Sequence, residues 1–304
     1  MIEGFLIVDK PEGITSADVV RVVKRVLRVK KVGYIGTLDP IATGVLPVGM
    51  GRATRLFPFL EKQDKTYDAV MTLGVETDTQ DKTGAHLAAA DPSAVTEEMV
   101  KEAMTAFTGD IMQVPPMYSA KKIDGERLYG LARRGITVER EANPARVSEM
   151  RFISKDGPNV RFITTVSTGC YVRTLCHDIG NKLGVYGHLS ALIRVKAGHF
   201  TIEESIPLAE IEKGGEEAAN KKLLSLSNGL GNLSRAVVIS HAGDRIKNGM
   251  PIGVSDIIKY DDIPGAPFVR VENKTGELIC VGIKRGAALA GFPFTNIQPK
   301  KVMF

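Results

Sequence analysis

The chain opens on an apolar tetrad, Phe5-Leu-Ile-Val8, that runs into the turn cluster Asp9-Lys-Pro-Glu-Gly13. This predicts a short buried strand and its exit turn. Val19, Val22, Val23 and Val26 then recur at helical spacing, with Ser16 as N-cap, Asp18 in the first turn and Gly33 as the stop. Valine is a poor helix former, so periodicity rather than propensity carries this helix. Residues 33–51 hold five glycines and two prolines, yet Leu38, Ile41, Val45, Leu46 and Val48 are apolar enough to pack. A structured loop is expected there. Thr66 to Leu73 alternates, with Tyr67, Ala69, Met71 and Leu73 on one face, as a strand does. Thr96 caps a helix with the apolar stripe Met99, Val100, Ala103, Met104 and Phe107, closed by Gly109. Val114–Lys122 reads as extended, and Glu126–Arg134 as a basic helix closed by Gly135. Two strands, Ala145–Ile153 and Val160–Thr168, flank the turn Lys155-Asp-Gly157. A helix from about Tyr171 to Leu183 and a strand-like run Leu189–Ile202 follow. Residues 212–232 turn rich in Gly, Glu, Lys and Asn, which marks a domain boundary. Beyond it, Val254–Tyr260, Phe268–Glu272 and Leu278–Ile283 alternate with Gly, Asp and Pro, the signature of a small β-barrel.

Length and composition fit this division. A chain of 304 residues suggests about two domains. At 43% hydrophobic and 25% charged residues, it is an ordinary globular sequence. Three cysteines without a C-x-x-C pair argue against a disulfide framework and a zinc ribbon. No apolar run reaches the ~20 residues that span a bilayer. The first ten residues lack a basic stretch and carry two acids, so no secretory leader is expected, and a cytoplasmic, reducing location is. Net charge is +5, and residues 231–304 carry ten Lys/Arg against six Asp/Glu. A basic C-terminal quarter suits a phosphate-backbone partner. Six basic residues also crowd Arg21–Lys31, either a solvated helix face or an RNA-facing one.

Metal and nucleotide chemistry find no support. The five histidines form no H-x-x-x-H pair, and Glu76-Thr-Asp-Thr-Gln-Asp81 lacks the glycine and distal glutamate of a calcium loop. Neither a Walker-type loop nor a dinucleotide fingerprint occurs. What remains is the segment around Asp39. Proline at position 40 pushes Asp39 into an extended conformation, and Gly36 and Gly44 permit turns on either side. Such an acid is either a satisfied turn residue or a positioned carboxylate, and the latter needs a cation to stay ionised when buried. Arg173, at a strand-to-helix turn, is a candidate partner or a surface arginine; Tyr67 is a candidate site aromatic or a core one.

Gly36-Thr-Leu-Asp-Pro-Ile-Ala-Thr-Gly-Val-Leu-Pro47 resembles the active-site motif of the TruB family, the tRNA pseudouridine-55 synthases. Val8–Ser16, Lys65-Thr-Tyr67 with Thr77-Asp78-Thr79, Val114–Lys122, Gly169–Leu175 and Leu192-Ile-Arg194 resemble that family's other motifs in order. The tail from about Leu233 is similar to a PUA domain, a small RNA-binding β-barrel. The resemblance implies an α+β pseudouridine synthase fold with a mixed, largely antiparallel sheet and flanking helices over residues 1–230. A PUA-like RNA-binding domain would then occupy residues 231–304.

The implied reaction detaches uracil from its ribose, turns it and rejoins it through carbon 5, with no cofactor and no metal. By the family's pattern Asp39 is the catalytic carboxylate, Arg173 pairs with it, and Tyr67 stacks on the uracil, a role that ranks above proton transfer. Tyr171 and Leu192 complete the base pocket, and Lys10 and Pro11 buttress the Asp39 loop. Tyr34 stands where the family commonly has histidine; a tyrosine fills or stacks in the same space but cannot become cationic near neutral pH. The substrate is the T stem-loop of tRNA, whose target uridine must be flipped out at a cost of a few kcal/mol. The basic residues of 21–31, Lys121-Lys122, Arg133-Arg134 and the tail supply the phosphate contacts. A monomer without an obligate protein partner or membrane is expected. Two other readings use the same fold: a non-catalytic RNA-binding module, which would not need Asp39, Tyr67 and Arg173 intact, and a guide-RNA-dependent synthase, against which the compact length argues.

Overall fold

The computed structural model describes residues 2–119, 121–123 and 125–303. In chain order the first elements are β1 (Gly4–Lys10), α1 (Ser16–Val26), β2 (Val32–Tyr34), β3 (Ala42–Met50), β4 (Lys65–Leu73), β5 (Val75–Thr77) and β6 (His86–Ala89). Next come α2 (Glu97–Thr105), β7 (Gly109–Gln113), β8 (Lys122–Ile123), β9 (Glu126–Arg127), α3 (Leu128–Arg133), β10 (Asn143–Asp156) and β11 (Asn159–Val166). Then follow α4 (Val172–Lys182), β12 (Gly187–Ala197), β13 (Phe200–Thr201), β14 (Ile206–Pro207) and α5 (Leu208–Lys222). The last are β15 (Ser234–Val238), α6 (Ala242–Lys247), β16 (Ile252–Gly253), β17 (Ile257–Asp261), β18 (Phe268–Glu272), β19 (Leu278–Arg285) and β20 (Asn296–Val302).

A ten-stranded sheet in the order β14-β1-β3-β12-β4-β11-β10-β7, with β13 on β12 and β2 on β3, forms the body. It is mixed and largely antiparallel; β1 with β14 and β3 with β12 are its parallel pairs among the described residues. Phe5, Leu6, Ile7 and Val8 are wholly buried, because β1 lies inside the sheet with its two faces packed. Burial of each such side chain is worth roughly 1.5–3 kcal/mol. Helix α1 turns Val19 and Val23 inward and its basic residues outward. A second, six-stranded sheet, β16-β20-β19-β18-β15-β17, curls into a half-barrel. It packs on the first through Leu278, Val281 and Met303 against Phe5, Ile7 and Leu56. Arg52 and Arg55 donate across this joint to the carbonyls of Met303 and Val302, at 2.5 and 2.9 Å. No described helix is long and apolar enough to cross a membrane.

Several expectations need correction. The N-cap of α1 is Thr15, not Ser16: its hydroxyl accepts from Asp18 N at 3.1 Å while Asp18 accepts from Thr15 N at 2.8 Å, a reciprocal box. Gly33 does not end α1; Arg28 takes the left-handed turn (φ 52°), and Gly33 sits in β2 under the Phe57 ring. The glycine- and proline-rich 33–51 segment is mostly strand, because β3 is buried between β1 and β12, where pairing and packing override propensity. Met99 is exposed rather than part of the α2 stripe. Residues 212–222, at the start of the Gly/Glu/Lys/Asn-rich stretch, are helical: they form the body of α5, broken at Gly215 (φ 56°), with Ile211 and Ala219 buried. Val254 begins a 3-10 turn, and the strand starts only at Ile257.

Candidate active site

The loop 35–41 joins β2 to β3 and carries Asp39 at the edge of a cleft of about 940 Å³. The loop is fixed from behind. Ala42 N donates to Asp39 O at 3.1 Å, and Gly13 N to Pro40 O at 2.8 Å. Lys10, wholly buried at the end of β1, donates its Nζ to the carbonyls of Pro11 (2.9 Å), Ile14 (2.7 Å) and Pro40 (3.3 Å). Burial pushes its ammonium down to about 8, against the pull of Asp39. Arg194 of β12, also fully buried, donates Nε to Val45 O (2.7 Å) and Nη2 to Gly36 O (2.9 Å). Gly44 is the one residue that fits opposite Arg194: its φ is 94°, and a Cβ would meet the Arg194 carbonyl oxygen at 2.4 Å.

Arg173, in the first turn of α4, brings the two halves of the site together. Its Nε lies 2.9 Å from Asp39 Oδ2, off the N–H axis, so the contact is an ion pair rather than a linear hydrogen bond. Nη1 donates to Thr79 O at 3.1 Å and Nη2 to Tyr118 O at 2.8 Å. Asp81 stands 3.7 Å from Nη1, held by Thr79 and Thr83 hydroxyls at 2.8 and 2.6 Å. The guanidinium is thus anchored by backbone and flanked by two carboxylates. The Asp39 side chain is 36% exposed, open to whatever enters the cleft, while that of Arg173 is 4% exposed. A carboxylate presented this way can serve as a nucleophile or base with its orientation set by a buried cation.

Tyr34, Tyr67, Tyr171 and Leu192 line the same cleft with Asp39 and Arg173. Tyr67 projects from the cleft end of β4, and Tyr171 caps α4. Gln113 clamps the Tyr171 backbone, accepting from its N–H at 2.7 Å and donating to its carbonyl at 3.1 Å. Burial raises the Tyr171 phenol above its ordinary range. Lys10 and Pro11 stand apart from this lining: Lys10 is behind the loop and Pro11 is exposed, meeting Lys10 through its carbonyl. All six basic residues of 21–31 are exposed. Arg133 and Tyr129 stand on the cleft wall, and Lys121 donates to Asn143 at 2.8 Å. Ala120 and the side chain of Lys122, which belong to the predicted 114–122 segment, lie outside the described residues.

Sequence reasoning missed Ser16, Asp81, Gln113 and Arg194 as parts of this site. Ser16 reads as a helix cap and Asp81 as a failed calcium ligand. Gln113 carries no local signal. Arg194 stands in the Leu192-Ile-Arg194 motif with no role assigned to it by sequence, and its burial depends on β12 pairing with β3. Among the described residues no group of His, Cys, Asp and Glu is arranged to hold a metal.

Residues 24–172 match the model of the TruB family pseudouridylate synthase N-terminal domain, and residues 173–231 that of the tRNA pseudouridylate synthase B C-terminal domain. The chain is 43% identical over 263 residues to a tRNA pseudouridine synthase B of Clostridium tetani, covering 86% of this chain and 90% of that one. It is 38% identical over 286 residues to that of Clostridium novyi, covering 94% and 97%. A solved H/ACA ribonucleoprotein bound to a substrate RNA containing 2'-deoxyuridine superposes with a TM-score of 0.76 at 26% identity, over 99% of this chain and 85% of that one. A Cbf5-Nop10-Gar1 complex gives 0.75 at 28%, over 98% and 84%.

Proposed function

The chain belongs to the TruB family of pseudouridylate synthases, and from that premise we propose that it converts uridine 55 in the T loop of tRNA to pseudouridine. The coarser activity, pseudouridylation of tRNA, is that of its curated relatives. The observation that carries the site assignment is the half-exposed Asp39 carboxylate held 2.9 Å from the buried Arg173 guanidinium at the wall of an aromatic-lined cleft.

The target uridine, flipped from the T loop, enters between Tyr67 and Tyr171, with Leu192 against the base. Tyr67 presents its aromatic face to the uracil, and stacking is its main role. Asp39 supplies the carboxylate for exchange of the glycosidic bond. The N1–C1' bond breaks, the base turns, the C5–C1' bond forms, and C5 loses the proton that N1 gains. Nothing is oxidised, reduced or hydrolysed overall. Arg173 pairs with Asp39 and keeps it aimed into the cleft. Lys10 acts from behind the loop, and Tyr34 fills the space beside the extruded base.

Residues 1–230 carry catalysis and residues 231–304 form a PUA-like RNA-binding module. In support, the second sheet starts at Ser234 and this quarter carries ten Lys/Arg against six acids. Exposed Lys24, Arg28, Lys30 and Lys31 add phosphate contacts. The enzyme acts as a cytoplasmic monomer on tRNA alone.

Tritium release tests the reading. Protein is mixed with unmodified tRNA carrying tritium at C5 of its uridines. One equivalent per tRNA is expected, and none above the remaining background from a tRNA with cytidine at position 55. No release together with tight, salt-sensitive binding would leave a binding module, and several equivalents would reject a single site.

A further inference from the structure

Ser16 is buried, with 1% of its surface exposed, at the first position of α1. Its side chain has no part in capping that helix, a task done by Thr15 and Asp18. Instead Ser16 Oγ accepts from Leu38 N at 2.9 Å and donates to Leu38 O at 3.1 Å. One hydroxyl therefore satisfies both polar groups of the residue that precedes Asp39. Leu38 itself is buried, so no water replaces either bond. On the far side, Pro40 O is held by Gly13 N and Lys10 Nζ. Asp39 sits between these two clamped residues, its own carbonyl accepting from Ala42 N at 3.1 Å and its carboxylate paired with Arg173 yet 36% exposed to the cleft.

We propose that Ser16 is a positioning residue for Asp39: it locks the Leu38 peptide so that the carboxylate is presented toward C1' of the flipped nucleotide. The inference rests on the assignment of Asp39 as the reactive carboxylate. Ser16 lies along the same cleft, but its hydroxyl is engaged by the Leu38 backbone, so it acts through the loop. Loss of the hydroxyl leaves a buried N–H and C=O unpaired, and the loop relieves this by moving toward water. A shift of about 1 Å at a reacting group lowers a rate by as much as 100-fold.

The test is Ser16→Ala against Ser16→Thr, which keeps the hydroxyl. Single-turnover formation of pseudouridine is measured with enzyme in excess over tRNA, tRNA Kd by filter binding, and helix content by circular dichroism. For Ser16→Ala the single-turnover rate is expected to fall roughly 10- to 100-fold, with Kd within about twofold and helix content unchanged. Ser16→Thr is expected to recover most of the rate. A Ser16→Ala rate within threefold of wild type overturns the proposal. So does a parallel loss of rate, affinity and helix content in Ser16→Ala that Ser16→Thr does not reverse, which would make Ser16 a folding residue. Should Ser16→Ala fail to fold, Ser16→Gly in the same assays decides between the same outcomes. A wild-type enzyme that forms no pseudouridine would refute the functional assignment instead, so the two failures are distinguishable.

Discussion

Replacing Arg173 with lysine keeps the charge and removes the geometry, so it separates the two ways this residue can support Asp39. In a half-open site of effective dielectric near 20, two unit charges 4 Å apart attract by about 4 kcal/mol, and an ammonium retains much of that. If charge alone matters, Arg173→Lys stays close to wild type. The guanidinium does more. It spends Nη1 on Thr79 O and Nη2 on Tyr118 O, at 3.1 and 2.8 Å, which leaves Nε 2.9 Å from Asp39. Lysine offers one nitrogen for these three tasks. A hydrogen bond from a charged donor contributes about 1.5–3 kcal/mol, and water entering the cleft replaces part of two such bonds. A net loss of about 3 kcal/mol corresponds to a Tm lower by about 6 °C in a chain of this size. The lysine also has no fixed direction toward Asp39, and the single-turnover rate is expected to drop about 100-fold. The assays are tritium release with enzyme in excess and a thermal scan. A rate within threefold of wild type would refute the geometric argument.

Three other outcomes are expected. Asp39→Asn abolishes turnover and leaves tRNA affinity within about threefold by filter binding, because the amide keeps the shape of the loop and loses the nucleophile; loss of folding or binding would make Asp39 structural. Gly44→Ala costs on the order of 3 kcal/mol or more, read from urea unfolding, since its Cβ meets the Arg194 carbonyl oxygen at 2.4 Å with φ at 94°; an unchanged midpoint would contradict the close approach of β3 and β12. Burial lowers the His199 imidazole to about 4, so between pH 6.5 and pH 4 the unfolded chain binds a proton that the folded chain refuses. Its contribution to stability is therefore complete above pH 6.5 and lost as pH falls toward 4. His199→Gln should show a smaller drop in urea midpoint over that window than wild type, and an equal drop would rule this out.

Much of the architecture is local and so was readable from sequence. The periods of β4 and β11 match their buried and exposed faces, and α4 follows its 3.6-residue stripe of Val172, Leu175, Cys176 and Ile179. The extended backbone at Asp39 follows from Pro40, and the turns from glycine. The TruB motifs along the chain named Asp39, Tyr67, Tyr171, Arg173 and Leu192, which the structure gathers around one cleft.

Tertiary structure decided the rest. That β3 is a strand, despite two glycines and a proline, comes from its place between β1 and a parallel partner distant in sequence, β12. Local propensity cannot see such pairing. The same juxtaposition buries Arg194, whose charge by sequence alone would put it on the surface. It also turns Gly44 from a flexible residue into a required one. Ser16 looked like a cap because caps are local; its partner, Leu38, is reached only when α1 folds back onto the loop after β2. The helical course of 212–222, in a composition rich in Gly, Glu, Lys and Asn, follows from α5 packing on α1 and β1. By itself the sequence determined which side chains are the candidates for the chemistry and the local conformations that present them. Which backbone groups hold those side chains in place depended on long-range pairing and burial, whose energies arise only between segments brought together by the fold.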